Sequence, residues 1–427
     1  MKIRSLIPTN LKGTVVIPSS KSMGHRELIC AALAKGQSIV NNVSMSEDIT
    51  ATCRALEALG AHIERLETAT DTGRAGFKVT GGQLQVCKEE IDCGESGSTL
   101  RFIIPIAALC QESIVFLGHG KLVTRPLQPY YDIFAQQGLS YSTAKDGYLP
   151  LKLQGPLRSG EYVLPGNVSS QFISGLLFAL PLLAEASRLH ITGVLESQSY
   201  VDMTLSALAK YGIRIKHTNY REYEISGGQK YEPRSASVEG DFSQIAFWLV
   251  AGTLGGNISC QGMEKDSLQG DKVIVDIIRA MGGCITCSGN DIHVETSKTH
   301  GTIIDAANCP DIIPVLAVLA ALSTGRTEII NAGRLRIKEC DRLAAITTEL
   351  NKIGANITEL PEGLIIDGVD FFTGGEVDCW NDHRIAMSLA VASIRCKKPL
   401  TLIGTECVAK SYPKFWEDFA LLGGKYE

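Results

Sequence analysis

The sequence contains one helix-to-strand joint that recurs six times. In each copy an amphipathic helical pattern stops at a glycine, and a strand pattern follows at once. Glycine commonly ends a helix because it adopts the left-handed conformation without steric cost. The copies lie about 70 residues apart, and a period of that kind indicates an internal structural repeat. The six glycines are Gly60, Gly138, Gly212, Gly282, Gly354 and Gly423.

Each repeat also contains a second helical pattern, which is apolar on nearly every face and begins with polar residues. A helix that is apolar all round is buried all round. We therefore predict helical cores wrapped by sheets, with the polar starts reaching solvent. Three joints precede residue 239 and three follow it, so the 427 residues should form two halves that meet near residues 239–241. The polar starts lie near Ser20, Ser98, Ser169, Asp241, Asp311 and Asp382.

Composition excludes several classes of protein. Apolar residues at 44% and charged residues at 20% are typical of a globular protein, and a net charge of -5 argues against general nucleic-acid binding. The longest apolar stretch, residues 173–183, is too short to cross a membrane, and the start of the chain lacks the apolar region of a signal peptide. Thirteen scattered cysteines indicate free thiols in the cytoplasm. Cys284 and Cys287 form a lone CxxC without a second pair nearby, in a pattern typical of a strand, which argues against a metal site.

Cationic residues cluster at points where a predicted strand is followed directly by an apolar helix. Residues 20–26 supply a lysine, an arginine and hydroxyls at such a point, where free backbone N–H groups and the helix dipole favour an anion. Residues 94–101 repeat the arrangement with a Gly/Ser-rich turn, and residues 334–342 and 381–384 carry the densest charge. No phosphate-binding P-loop, dinucleotide glycine motif or hydrolase nucleophile elbow is present. These patterns predict a protein that binds small, strongly anionic substrates.

The motifs together resemble those of the 5-enolpyruvylshikimate-3-phosphate (EPSP) synthase family. The resemblance runs from about residue 12 to the C-terminus, and the Lys-Glu-x-Asp-Arg and Asn-Asp-His-Arg motifs are its most specific part. The matching segments, in order, are Ser20–Ser22 with Arg26, residues 96–98 with Arg101, Arg125-Pro126, residues 169–171, residues 238–241, residues 336–342 and residues 381–384.

The resemblance implies an α/β protein with the two-domain enolpyruvyl transferase fold. This fold is an inside-out α/β barrel of six βαβαββ repeats, three in each domain, with the helices buried inside the sheets. The N-terminal strand is expected to complete the second domain. The expected domains are therefore 20–239, on the shikimate 3-phosphate side, and 1–19 plus 240–427, on the side of phosphoenolpyruvate (PEP) and the catalytic carboxylate.

The resemblance also implies an activity. The enolpyruvyl group of PEP would pass to the 5-hydroxyl of shikimate 3-phosphate by addition and elimination, with release of phosphate, in the shikimate pathway to the aromatic amino acids. The two small-molecule substrates are the expected partners, and neither nucleic acid nor membrane is expected. The implied enzyme is a cytoplasmic monomer that needs no cofactor and no metal.

The resemblance further assigns roles to individual residues. Glu339 is expected to protonate the PEP methylene and later to take a proton back, while Asp311 and Lys21 flank the attacking hydroxyl. Residues expected to hold shikimate 3-phosphate are Lys21, Ser22, Arg26, Ser169, Ser170, Gln171, Ser197, Asp311 and Lys338. Residues expected to hold PEP are Lys21, Gly97, Arg125, Gln171, Arg342, Arg384 and Lys410.

One departure from the family pattern is Glu95, which stands where the family commonly has asparagine. Two readings stay open. The carboxylate either weakens PEP binding by repulsion between like charges, or points away and pairs with Arg101 or Arg125.

Two alternative functions follow from the same motifs. UDP-N-acetylglucosamine enolpyruvyl transferase shares the fold, but its usual form has a reactive cysteine before the Arg-Pro motif. No cysteine lies between Gln111 and Arg125 in this chain. A non-catalytic anion-binding relative is the other alternative. A chain without activity is expected to have lost at least one of the four groups Lys21, Asp311, Glu339 and Lys410, all of which are present.

Overall fold

A computed structural model describes residues 2–66, 74–145 and 147–427. Within these ranges the chain forms twelve α-helices and twenty-four strands. The helices are α1 Lys21–Leu33, α2 Glu47–Ala58, α3 Gly97–Ala107, α4 Gln128–Gln137, α5 Ser170–Ala179, α6 Gln198–Lys210, α7 Phe242–Gly255, α8 Ile274–Ala280, α9 Ile313–Ala321, α10 Arg342–Lys352, α11 His383–Ala392 and α12 Phe415–Leu421. The strands are β1 Ile3–Ile7, β2 Lys12–Val16, β3 Gly36–Ser44, β4 His62–Leu66, β5 Arg74–Gly81, β6 Glu90–Asp92, β7 Ser113–Leu117, β8 Ser140–Thr143, β9 Leu151–Gln154, β10 Glu161–Pro165, β11 Ser187–Thr192, β12 Ile215–Thr218, β13 Glu222–Ile225, β14 Ser235–Ser237, β15 Asn257–Gln261, β16 Cys284–Ser288, β17 Asp291–Glu295, β18 Ile303–Asp305, β19 Arg326–Ile330, β20 Asn356–Leu360, β21 Gly363–Asp367, β22 Gly375–Asp378, β23 Leu400–Ile403 and β24 Lys425–Tyr426.

The strands of the described ranges form six sheets that share one topology. Each sheet has four strands, and one parallel pair is followed by two antiparallel neighbours. This is the pattern that a βαβαββ repeat produces, because its helical crossovers join strands that run the same way. None of the six closes on itself. The strand orders are β14-β3-β5-β4, β6-β7-β9-β8, β10-β11-β13-β12, β2-β15-β17-β16, β18-β19-β21-β20 and β22-β23-β1-β24.

The chain divides into two compact units. One is Ser19–Val238, and the other joins the segment up to Pro18 to Glu239–Glu427. The second unit takes both N-terminal strands, since β2 pairs in parallel with β15 and β1 lies between β23 and β24. The first unit closes its own sheet with β14, which pairs in parallel with β3. The divisions fall one residue before the expected positions.

The helical cores predicted from the sequence are confirmed. Every residue of α7, α9 and α11 is buried, and these three helices pack on one another within the second unit. In the first unit α3 packs on α5, and α1 is buried from Met23 onward. Strands of the same unit contact α1, α7, α9 and α11. The residues that cap the helices are buried as well, so the prediction that the polar starts reach solvent is wrong for Ser20, Ser169, Asp241 and Asp382.

The six glycine joints are also confirmed as helix ends. All six glycines follow the last residue of α2, α4, α6, α8, α10 or α12 and have φ between 70° and 97°. At Gly60 a side chain would meet a second obstacle, because a Cβ atom there would lie 2.9 Å from the carbonyl oxygen of Gln83. The repeat detected in the sequence is therefore a repeat of helix ends with a left-handed residue.

The polar residues predicted to begin the apolar helices cap those helices at four of the six positions. Side chains of Ser20, Ser169, Asp241 and Asp382 cap their helices. Helix α3 is capped by Ser96 rather than Ser98. Asp311 caps no helix, because it lies in a 3-10 turn, Pro310–Ile312, without a side-chain cap. Its carboxylate is instead bound to cations, as described below.

No helix of the described residues is long and apolar enough to span a membrane.

Candidate active site

The start of α1 carries a lysine that is bound to the start of α2. The Lys21 Nζ atom lies 2.6 Å from Oδ2 of Asp48, and both side chains are largely buried. Ser20 caps the helix by accepting a hydrogen bond from the N–H of Met23. The ion pair fixes the first turns of two helices against each other and keeps the ammonium group at the N-terminal end of α1.

Arg26 is a buried cation whose hydrogen-bond acceptors are all neutral oxygen atoms. Its Nε donates to Oγ1 of Thr204 at 2.9 Å, and its two terminal nitrogens donate to the carbonyl oxygens of Ser22 and Tyr200 at 2.7 and 2.8 Å. The guanidinium also lies 5.2 Å from the centre of the Phe102 ring. Burial lowers the pKa of Arg26 to about 10, so it stays charged at neutral pH. A buried charge without a counter-charge is costly, and an anionic ligand would reduce that cost.

Gln171 joins the starts of α3 and α5. Its Oε1 accepts from Arg101 at 2.7 Å, and its Nε2 donates to Oγ of Ser98 at 3.0 Å. Arg101 also donates to the carbonyl oxygen of Pro126 at 2.9 Å. Arg101 therefore ties the segment that follows Arg125 to the N-terminal end of α3.

Gly97 makes room for the guanidinium of Arg125. A Cβ atom at Gly97 would lie 2.7 Å from one terminal nitrogen of Arg125 and 2.9 Å from its Cζ atom. Gly97 is the first residue of α3, and the side chain of Arg125 is 6% exposed. A cation at the positive, N-terminal end of a helix is unfavourable by itself. An anion bound there would be stabilised both by the guanidinium group and by the helix dipole.

The starts of α5 and α6 present buried hydroxyl groups. Ser169 caps α5 by accepting from the N–H of Gln171 at 3.3 Å, and Ser170 is 4% exposed. Ser197 precedes α6 in the left-handed conformation, with φ of 54°, and its side chain does not cap that helix. Non-glycine residues in this conformation are often found at functional sites, where the surrounding structure holds them.

Arg342 is the centre of an ion cluster in the second unit. It is 1% exposed, and it donates to three carboxylates: Asp311 at 2.9 Å, Glu339 at 2.7 Å and Asp382 at 2.8 Å. Burial alone would lower its pKa, but Asp382, Glu339 and Asp311 hold the pKa of Arg342 well above the ordinary value. Arg342 therefore carries a permanent charge and fixes three carboxylates around it.

Asp311 is contacted by two further cations. Nζ of Lys338 lies 3.3 Å from its Oδ1, and a terminal nitrogen of Arg384 lies 3.4 Å from its Oδ2. Burial lowers the pKa of Lys338, although Asp311 opposes this. A lysine with a lowered pKa gives up a proton more readily than an exposed one.

Arg384 and Lys410 lie beside this cluster. Arg384 is 3% exposed at the start of α11, and it donates to the carbonyl oxygen of Ser243 at 3.2 Å. Nζ of Lys410, which is 6% exposed, donates to the carbonyl oxygen of Asn381 at 2.8 Å. All three cations predicted to bind PEP in this unit are thus buried close to one segment of chain.

The predicted residues fall into two groups, one in each unit. Those of the first unit lie at the starts of α1, α3, α5 and α6 or against α3. Those of the second unit lie in the ion cluster or on the segment next to it. The first group is Lys21, Ser22, Arg26, Gly97, Arg125, Ser169, Ser170, Gln171 and Ser197, and the second is Asp311, Lys338, Glu339, Arg342, Arg384 and Lys410.

Two buried or partly buried carboxylates in these groups were not predicted. Asp48 pairs with Lys21, and the hydroxyl of Ser243 donates to Asp271. Burial and the charge of Asp311 raise the pKa of Asp271 to about 7, against the effect of Arg384. In the sequence Asp48 has the pattern of an ordinary first helical turn, and Asp271 belongs to no recognisable motif. Their partners lie in other parts of the chain, so no spacing could reveal them.

Glu95 lies against the backbone of the following loop. A Cβ atom at Gly120 would come within 2.8 Å of the carboxyl carbon of Glu95. Gly120 has φ of 54°, a conformation that favours glycine. The effect of Glu95 on PEP binding stays a prediction.

Comparison with known families gives a match over nearly the whole chain. Residues 6–419 match the family model described as EPSP synthase (3-phosphoshikimate 1-carboxyvinyltransferase). The 3-phosphoshikimate 1-carboxyvinyltransferase of Clostridium kluyveri is 54% identical over 428 residues, covering 100% of this chain and 99% of its own. The protein of the same name from Clostridium acetobutylicum is 52% identical, covering 98% and 96%.

Solved structures have the same fold. The EPSP synthase of Acinetobacter baumannii superposes with a TM-score of 0.82 at 26% identity, covering 100% of this chain and 99% of its own. The enolpyruvyl transferase NikO of Streptomyces tendae has a TM-score of 0.79 at 17% identity, covering 100% and 98%. The enolpyruvyl transferase fold predicted from the sequence is confirmed.

Proposed function

Because the chain belongs to the EPSP synthase family, we propose that the two groups of residues bind and activate the two substrates of that reaction. The reaction transfers the enolpyruvyl group of PEP to shikimate 3-phosphate and releases phosphate. It is a step of the shikimate pathway to the aromatic amino acids. The observation that carries the proposal is the ion cluster, in which Asp311 and Glu339 share the guanidinium of Arg342.

The first unit supplies the groups for shikimate 3-phosphate. Arg26 and Ser22 take the substrate carboxylate, which gives the buried guanidinium the counter-charge that its recorded partners lack. The buried starts of α5 and α6 take the phosphate through hydroxyl and backbone N–H donors. The donors to the phosphate are Ser169, Ser170 and Ser197, with Gln171 beside them.

Five cationic or backbone groups bind the two charged ends of PEP, and Lys21 and Gln171 lie beside the bound substrate. Arg125 and the N–H of Gly97 take the phosphate, together with Lys410. Arg342 and Arg384 take the carboxylate, because a planar guanidinium matches a carboxylate with two parallel hydrogen bonds.

Arg342 already has three carboxylate partners, and this constrains how PEP binds. Protein carboxylates occupy four of its five N–H groups, so a PEP carboxylate that binds with two parallel hydrogen bonds must displace one of those carboxylates. Asp382 is fully buried, whereas the side chains of Glu339 and Asp311 are each 18% exposed. Asp311 is also bound by Lys338 and Arg384, so Glu339 is the partner that leaves most readily. We propose that PEP displaces Glu339 from Arg342 and so frees it for proton transfer.

The chemistry then proceeds in two balanced steps. Once released from Arg342, the Glu339 carboxylate takes up a proton from solvent. In the addition, the 5-hydroxyl of shikimate 3-phosphate attacks C2 of PEP and passes its proton to Asp311, while the ammonium group of Lys21 lies beside that hydroxyl and Glu339 gives its proton to the methylene carbon C3. In the elimination, Glu339 takes a proton back from C3, the C2–C3 double bond reforms, and the bond from C2 to the phosphate oxygen breaks, so that phosphate leaves with the proton that Asp311 had taken. Lys338, beside Asp311, binds the substrate hydroxyl next to the attacking one. Every proton thus has a named donor and acceptor, with no cofactor and no metal.

Phosphate release tests this assignment directly. The purified protein would be incubated with PEP and either shikimate 3-phosphate or UDP-N-acetylglucosamine, in the presence of a chelator. We expect phosphate only with shikimate 3-phosphate. Release only with UDP-N-acetylglucosamine would favour the sister enzyme, and silence in both from a folded protein would favour a non-catalytic anion-binding relative.

We further propose that the enzyme acts as a monomer in the cytoplasm. All thirteen cysteines lie in the described residues, and each carries a free thiol. Free thiols in this number are typical of a reducing compartment. Light scattering at assay concentration would test the oligomeric state.

A further inference from the structure

A strained turn precedes the helix that carries Arg384. The N–H of Asp382 donates to the carbonyl oxygen of Cys379 at 2.9 Å, and the two residues between them, Trp380 and Asn381, have φ of 52° and 50°. Two successive left-handed residues define a type I′ turn, which normally contains glycine or asparagine. Tryptophan in this conformation is a genuine outlier, so the surrounding structure must hold it there.

Glu349 supplies much of that hold. It lies on α10 and is 1% exposed. Its Oε1 accepts from the indole N–H of Trp380 at 2.7 Å, and its Oε2 accepts from the backbone N–H of Asp378 at 3.0 Å. The exposed Lys352 completes the set of donors at 2.8 Å. One carboxylate thus binds both the residue that precedes the turn and the strained residue within it.

The same helix also holds the other end of the turn. Arg342 lies seven residues before Glu349 in α10. This separation equals two helical turns, so both side chains lie on the same face of the helix, about 10 Å apart along its axis. Arg342 donates to Asp382 at 2.8 Å. Asp378 and Asp382 are therefore both attached to α10, and the left-handed pair lies between them.

The turn places two cations predicted to bind PEP. The carbonyl oxygen of Asn381 accepts from Nζ of Lys410 at 2.8 Å. Asp382 accepts from the backbone N–H of Arg384 at 2.7 Å, which fixes the first turn of α11. If the turn relaxed to a right-handed conformation, the Asn381 carbonyl would point elsewhere and Lys410 would lose this partner.

We propose that Glu349 is a positioning residue for enolpyruvyl transfer, which holds the left-handed Trp380–Asn381 turn and through it Lys410 and Arg384. Glu349 touches no substrate. The inference rests on the proposed roles of Lys410 and Arg384 in binding PEP.

The main test is Glu349→Gln. Glutamine replaces one acceptor oxygen by an NH2 group, which must then face either the indole N–H or the N–H of Asp378. We expect the KM for PEP to rise about tenfold, as for the loss of one hydrogen bond to a charged group. The KM for shikimate 3-phosphate should change less than about threefold, because its proposed partners include only Asp311 and Lys338 from this unit.

Matched variants separate positioning from general stability. Lys352→Met removes only the exposed donor and should leave both KM values as in the parent. Trp380→Phe keeps a large ring but removes the indole N–H, and it should raise the KM for PEP in the same direction as Glu349→Gln. In Trp380→Gly the left-handed backbone costs little, so adding Glu349→Gln there should have a much smaller effect than in the parent.

The outcomes are distinct. If Glu349→Gln lowers the melting temperature but leaves the KM for PEP unchanged, or if its effect is as large in the Trp380→Gly background, the proposal is wrong. Lys410→Met, measured in parallel, checks the premise. If Lys410→Met leaves PEP binding unchanged, the proposed function of Lys410 fails. If it weakens PEP binding while Glu349→Gln does not, only the present inference fails.

Discussion

Replacing Arg26 by methionine should weaken the binding of shikimate 3-phosphate by about a hundredfold or more while lowering the stability of the ligand-free protein by no more than about 1 kcal/mol. Burial lowers the pKa of Arg26 to about 10, which corresponds to about 3 kcal/mol of destabilisation by the buried charge at neutral pH. A base whose pKa falls on folding destabilises the folded state below that pKa. The cost is therefore fully present at pH 7, and it disappears only above the ordinary pKa of arginine.

The hydrogen bonds lost in Arg26→Met are replaceable. Oγ1 of Thr204 keeps a partner in Ser174 at 2.7 Å, and the carbonyl oxygen of Tyr200 keeps one in Thr204 at 3.0 Å. Methionine fills a similar apolar volume beside Phe102. We therefore expect a change in the free energy of unfolding between a loss of about 1 and a gain of about 3 kcal/mol.

Binding should respond in the opposite direction. If Arg26 takes the carboxylate of shikimate 3-phosphate with two charge-assisted hydrogen bonds, its loss should weaken binding by about 3 to 5 kcal/mol, or roughly a hundredfold or more. Urea unfolding without ligand gives the first quantity, and calorimetric titration with shikimate 3-phosphate gives the second. Arg26→Lys is the control that keeps the charge but loses the fork. A stability loss clearly above about 1 kcal/mol, or binding within tenfold of the parent, would refute the reasoning.

Three other predictions follow from the geometry of the two groups. Gly120→Ala should cost about 1 to 2 kcal/mol in urea unfolding because of its φ of 54° and the Glu95 carboxyl, and adding Glu95→Ala should recover only the steric part. The pKa of Asp271 is raised to about 7 in the folded protein, so between the ordinary pKa of aspartate and pH 7 the folded protein keeps a proton that the unfolded chain has lost. The free energy of unfolding should therefore fall as the pH rises through this range and stay level above about pH 7. Asp271→Asn should remove up to about 1.4 kcal/mol per pH unit of that slope, measured by unfolding at a series of pH values. Asp48→Asn should lower kcat severalfold through a misplaced Lys21 with a stability change of about 1 kcal/mol, and an unchanged kcat would show that the ion pair does not position Lys21.

The six repeats and the buried helices were predictable because their signals are local, whereas the βαβαββ order and the place of the N-terminal strand came from the family resemblance. A glycine that ends a helix and an apolar helix that needs burial on every side each show within about fifteen residues of sequence, and six repetitions exclude chance. The helix start at Ser96 was missed by two residues, since Ser96 and Ser98 are equally good caps in the sequence.

The contacts within the site were not predictable to the same degree. Asp311 has the pattern of a helix cap, and only the folded chain shows that Lys338, Arg342 and Arg384 bind it instead. The left-handed conformation of Trp380 has no sequence signal, because it opposes the preference of the residue. The pairings of Asp311 join positions 27, 31 and 73 residues apart, and no spacing along the chain encodes them.

The central claim is that Glu339 gives and takes the proton at C3 of PEP. The most direct test follows deuterium incorporation into the methylene group of the product in D2O, together with phosphate release, for the parent and for Glu339→Gln. We predict that the parent incorporates deuterium. Glu339→Gln should lose both exchange and turnover by about a hundredfold or more while still binding shikimate 3-phosphate as tightly as the parent. Exchange within tenfold of the parent in Glu339→Gln would contradict the account, because another group would then be moving the proton.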